Sequence, residues 1–102
     1  MSAVNRALGM LGLCARAGKL VCGANAAIQA VRAGTARLVV LDAQAGPNTQ
    51  KAVENACRHY GVRLSRLDGL GRAVGKEGRM AVAVLDEGLA VRIEELAGRE
   101  TG

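Results

Sequence analysis

Two short, unbroken aliphatic runs, residues 38–41 (Leu-Val-Val-Leu) and 81–85 (Ala-Val-Ala-Val-Leu), stand among longer stretches whose apolar residues recur at helical spacing. Runs of this length, rich in β-branched residues, match strands buried on both faces and are too short for helices. Leu8, Leu11 and Ala15 give residues 5–17 a one-sided apolar face, as Ala24, Ala27, Ile28 and Val31 do for the next helix. Val53, Ala56 and Cys57 mark a third helix, and Leu89, Ile93 and Leu96 a last one. Gly18, Gly34, Gly61 and Gly75 are natural stops. Residues 19–22 form a further short strand, and 62–67 alternate apolar and cationic residues as a half-exposed strand does. Asn48 or Thr49 is expected to cap the third helix, Asp68 a short helix over 69–74, and Asp86 the last helix. Helix and strand thus alternate along the chain. The expected fold is α/β, a three-layer α/β/α sandwich with a small mixed central sheet and the two aliphatic runs at its centre.

A chain of 102 residues is the length of one domain, 1–102, and its 50% hydrophobic content suffices for a core. Tyr60 is the only aromatic residue, so that core is aliphatic. Cys14, Cys22 and Cys57 are odd in number, lack a CxxC pair and lie in apolar segments. With His59 the only histidine, they read as free thiols packed like small hydrophobes, and no metal is expected. Arg6 followed by residues 7–14 imitates a signal sequence, and Leu11-Gly12-Leu13-Cys14 a lipoprotein cleavage site. The apolar run is short, bulky Leu13 precedes the cysteine, and Arg16 and Lys19 follow at once, which argues for a helix instead. No apolar run approaches the ~20 residues of a membrane span. A soluble cytoplasmic protein is the expectation.

The net charge is +5, and its distribution is uneven. Residues 1–41 hold Arg6, Arg16, Lys19, Arg32 and Arg37 and no acid, while Asp86, Glu87, Glu94, Glu95 and Glu100 crowd the end. A polyanionic partner contacting the first two-thirds of the chain fits this pattern.

The glycine-rich segment 69–76 (Gly-Leu-Gly-Arg-Ala-Val-Gly-Lys) fails as a nucleotide site. Its third glycine is one place late for a dinucleotide fingerprint, and Lys76 is followed by Glu77 where a P-loop needs Ser or Thr. No nucleophile stands near His59, and no carboxylate pair marks a glycine loop. An enzyme, a cofactor and a small-molecule substrate are therefore not expected. Gly23-Ala24-Asn25 is more informative: a glycine between a strand and a helix lets another backbone approach, and the amides of a helix start attract anions. Asn25 offers both a donor and an acceptor there.

The run Leu11-Gly12-Leu13, Ala15-Arg16, Lys19 and Gly23, residues 36–41, Asn48-Thr49, and above all residues 70–79 followed by 82–88 carry a resemblance in order along nearly the whole chain. The Leu-Gly-x-Ala-x-Gly segment is its most specific part. The sequence resembles small bacterial members of the kink-turn-binding ribosomal protein superfamily (the L-seven-Ae family). That resemblance implies an α/β/α sandwich that grips RNA with the start of its second helix and the loop after its short fourth helix. Of the family pattern Gly-x-Asn-Glu-x-x-Lys, Gly23 and Asn25 are kept, while Ala26 and Gln29 take the Glu and Lys places. Ala43 and Gln44 replace an acidic pair after the central strand, and the second RNA loop maps to Gly75, Lys76, Glu77 and Gly78. The expected protein is a ribosome-associated binder of structured RNA. Its phosphate contacts would be Arg16, Lys19 and Arg32, its base contacts Asn25, Gln29 and Glu77, with Gly23 and Ala24 at the helix start. An adaptor reusing the fold for a protein partner is the alternative, and an accessory domain serving an RNA-modifying enzyme a third reading.

Overall fold

Ser2 begins the first helix: its hydroxyl accepts the amide of Asn5 at 3.1 Å, satisfying one of the donors that every helix start leaves over. The structure, a computed structural model, describes residues 2–75 and 78–98. The elements run α1 (Ala3–Arg16), β1 (Leu20–Cys22), α2 (Ala24–Ala33), β2 (Leu38–Asp42), α3 (Pro47–Tyr60), β3 (Leu64–Leu67), α4 (Leu70–Ala73), β4 (Ala81–Val84) and α5 (Glu87–Ala97). Helix and strand alternate as the periodicity predicts.

The four strands form one mixed sheet in the order β1-β4-β2-β3. The two aliphatic runs supply its central strands, and every residue of β2 and β4 is buried. β2 pairs parallel with β3 and antiparallel with β4, which pairs antiparallel with β1. Side chains alternate between the faces of a strand, so each central strand feeds two cores. Leu38, Val40, Val82 and Val84 pack on α1, α4 and α5, against Leu11, Cys14, Leu70 and Ile93. Val39, Leu41, Ala81 and Ala83 pack on α2 and α3, against Ala27, Val31, Val53 and Cys57. The three layers are those expected. Small residues take fully buried places on the helices: Ala7, Cys14 and Ala90 are fully buried, whereas Ala15, Leu89 and Leu96 are only half-buried. The three thiols are free, and burial pushes that of Cys57 up to about 11.

Two cap assignments are corrected. Helix α3 begins at Pro47 with Gly46 as its cap, ahead of Asn48 and Thr49. Proline's fixed φ suits a first helical position, where its missing N–H costs nothing. Asp86 caps α5 as expected, accepting the Leu89 amide at 2.9 Å. Asp68 does not cap α4; Gly69 holds that position. The carboxylate that serves α4 belongs to Asp42, at the end of β2 and only 3% exposed. Its Oδ2 accepts the Leu70 amide at 3.1 Å and its Oδ1 the Gln44 amide at 2.8 Å. One side chain thereby ties β2, the following turn and α4 together. Asp42→Ala leaves the buried Leu70 N–H without an acceptor, an expected loss of about 1–3 kcal/mol. Equilibrium urea denaturation reads it, and an unchanged midpoint would refute the role.

Candidate nucleic-acid interface

Strands β1, β2 and β3 run the same way and β4 runs against them, so the ends of the first three and the start of the fourth share one edge of the sheet. Gly23 lies on that edge with φ 102° and ψ 146°, a region glycine alone occupies without strain. Its N–H donates to the Ala81 carbonyl at 2.8 Å, and its own carbonyl accepts the Ala27 amide at 2.9 Å. The start of α2 is thus pinned against the start of β4. Among the described residues no side chain caps α2, and its first-turn amides lie at the positive end of the helix dipole, where an anion is favoured.

Asn25, Ala26 and Gln29 are exposed on this helix, with Ala24 half-buried beneath them. The exposed Gly75 and Gly78, with φ of 74° and 83°, flank the loop before β4. Lys76 and Glu77, the central pair of the expected second loop, lie outside the described residues. A Cβ placed on Gly23 would lie 3.8 Å from Arg79 Cδ, so the Arg79 side chain runs beside the helix start. Gly78 also borders a groove of about 920 Å³ between α1 and α4, lined by Arg16 and Arg72. Gly12 permits the close approach of those helices, since a Cβ there would stand 3.1 Å from the Ala73 carbonyl oxygen. Among the described residues the ion pairs join Arg63 to Glu87 and Glu94, and Arg66 to Glu54. Arg16, Arg72 and Arg79 form no ion pair with a described carboxylate, although Asp42 and Asp68 border the same groove.

The sequence-predicted residues divide in two. Gly23, Ala24, Asn25, Gln29 and Gly78 gather at one end of the molecule, and Arg16 lines the adjoining groove. Lys19 and Arg32 do not join them. The Lys19 carbonyl accepts the Leu85 amide at 2.9 Å, which places it at the opposite end of β1, roughly 13 Å along the strand from Gly23. Arg32 lies in the last turn of α2, roughly 13 Å along the helix from Gly23. Arg72 and Arg79 are the cations that sequence reasoning left out of the site. Leu70 and Gly71 turn inward and Arg72 outward, a pattern legible only once the four-residue helix is delimited. Arg79 reaches Gly23 through strand pairing, which spacing along the chain cannot show.

Among the described residues no group of three His, Cys, Asp or Glu side chains is placed to hold a metal ion, and no helix is long and apolar enough to cross a membrane. The profile of the ribosomal protein L7Ae/L30e/S12e/Gadd45 family matches residues 5–93. The chain is a member of that family. The RNA-binding protein YlxQ of Bacillus subtilis (strain 168) is 40% identical over 90 residues, 85% of this chain and 90% of that protein. The RNA-binding protein YlxQ of Enterococcus faecium is 31% identical over 94 residues, 89% of this chain and 90% of that protein. A Bacillus halodurans protein of unknown function superposes with a TM-score of 0.84 at 34% identity, over 89% of this chain and 95% of that one. The Giardia lamblia 15.5kD RNA binding protein superposes with a TM-score of 0.74 at 23% identity, over 96% and 88% of the two chains. That last likeness establishes a shared L7Ae-type fold.

Proposed function

We propose that this L7Ae-family protein binds structured RNA of the kink-turn kind, with ribosomal RNA the first source to test. The contact is made by the start of α2 and the 75–79 loop. The observation that carries this reading is the 2.8 Å bond from Gly23 to Ala81, which sets the start of α2 against the start of β4, with the Arg79 side chain beside it. The first-turn amides take a phosphate, and Arg79, Arg72 and Arg16 take its neighbours. The Asn25 amide pairs with a base edge, a bidentate match that suits Asn to adenine, and Gln29 follows one turn on. Relatives named as RNA-binding proteins support the same reading. The chemistry is recognition and calls on no cofactor.

Ala26 and Gln29 replace the charged pair of the family pattern, so discrimination rests mainly on Asn25. The wild type is expected to prefer a kink-turn RNA to an unkinked duplex modestly. Asn25→Ala should erase that preference, worth about 1–3 kcal/mol for a good base contact, while Arg79→Ala weakens both RNAs alike. Titrations of both RNAs at one fixed salt concentration read the difference, and a preference untouched by Asn25→Ala would reduce the helix start to a plain cap. The exposed, uncharged Ala26 favours a second reading, an adaptor that uses this fold to hold a protein partner.

A further inference from the structure

Arg32 and Tyr60 fall outside the site above, yet they share a surface of their own. Two hollows, of about 440 and 540 Å³, are both bordered by Arg32 and Tyr60. Tyr60, the last residue of α3, is 48% exposed, and its ring meets that of His59 edge to face with centroids 4.7 Å apart. The smaller hollow is also lined by Arg37 and Arg63, and the larger one by Asn55. Arg63 is neutralised by its ion pairs with Glu87 and Glu94, whereas Arg32 and Arg37 pair with no described carboxylate. Lys19 extends the same edge: the Arg37 amide donates to the Val84 carbonyl, and the Leu85 amide to that of Lys19.

A half-exposed ring between two hollows, with unneutralised guanidinium groups on the rim, has a specific chemical complement. An acidic peptide would satisfy the arginines and leave the ring idle. A single-stranded nucleic acid uses both, a base stacking on the ring while its phosphates meet the arginines. The surface is also continuous with the first site. Asn25, Gln29 and Arg32 are all exposed, and their spacing of four and then three residues lines them along one side of α2. Arg32 stands roughly 10 Å beyond Asn25 along the helix axis.

We infer that α2 guides a single-stranded extension of the bound RNA from the Gly23 end to the hollows around Tyr60. There a base stacks on the Tyr60 ring and Arg32 and Arg37 hold the flanking phosphates. The inference rests on the RNA-binding reading above and assigns Arg32 and Lys19, which the first site leaves aside, to the path of the strand.

The test compares one kink-turn RNA with the same RNA carrying single-stranded extensions at its 5′ or 3′ end, in filter-binding titrations with the full chain. One of the two extensions is expected to tighten binding roughly fivefold or more, the least that stacking on an aromatic ring is worth. Tyr60→Ala should abolish that gain and leave binding of the unextended RNA unchanged; Tyr60→Phe should keep it. Arg32→Ala should reduce the gain, and Asn25→Ala should weaken both RNAs while preserving their ratio. Photo-crosslinking of the extended RNA should label the tryptic peptide 59–63. Binding of the unextended RNA with no gain from either extension, or a gain that survives Tyr60→Ala, overturns this inference alone. Failure of every RNA to bind overturns the RNA-binding reading and this inference together.

Discussion

Raising monovalent salt from about 50 to about 200 mM is expected to weaken RNA binding about 20- to 40-fold when three phosphates are neutralised. The three cations are Arg16 and Arg72, which line the groove between α1 and α4, and Arg79 beside Gly23. Each releases condensed counterions on meeting a phosphate, contributing about −0.7 to −0.9 to the slope of log affinity against log salt. Arg79→Ala should therefore lower affinity at low salt and flatten the slope by about that amount. Arg66→Ala, which removes a cation engaged with Glu54, should leave the slope close to that of the wild type. An affinity that stays flat across the range would refute the phosphate contacts and favour a protein partner.

The largest loss of stability is expected from truncating the central strand. Leu38 has no solvent exposure, and its side chain fills the space between the sheet and the layer of α1, α4 and α5. Leu38→Ala should cost about 2–5 kcal/mol, combining lost burial with the cavity left behind. Against a total of about 5–15 kcal/mol for a domain of this kind, that is a substantial fraction. Leu41→Ala, equally buried but facing α2 and α3, should cost a similar amount through the other core. Leu13→Ala is the control: at 53% exposure it should fall within about ±0.5 kcal/mol. Urea midpoints for the three variants that do not separate in this way would contradict the two-core arrangement.

The sheet's centre was legible because burial on both faces demands unbroken apolar residues, and only residues 38–41 and 81–85 supply them. The start of α2 was legible for a related reason, since a glycine between strand and helix marks a backbone turn other residues avoid. What stayed hidden depends on contacts distant along the chain. Asp42 stands 28 residues from the amide it serves, so the nearer Asp68 attracts the assignment. Lys19 is four residues from Gly23 in sequence, but those residues are an extended strand, which carries the two to opposite ends of the sheet. Arg79 is far from Gly23 in sequence and beside it in space because β1 and β4 are antiparallel neighbours. Sequence proximity therefore grouped Lys19 with Gly23 and left Arg79 aside, and the resemblance to the family pointed to the helix start and loop without saying which cations lie beside them.

With no Trp or Phe in the chain, every near-ultraviolet signal this protein produces comes from Tyr60, a ring half in water that belongs to neither aliphatic core. Its emission follows the end of α3, where the ring meets His59, and registers the cores only through that helix, so backbone circular dichroism is the more direct monitor of unfolding. As the one fluorophore of the chain, the ring is a clean reporter of its own surroundings. Quenching on addition of RNA would register occupancy of one place on the surface, free of any contribution from the rest of the molecule.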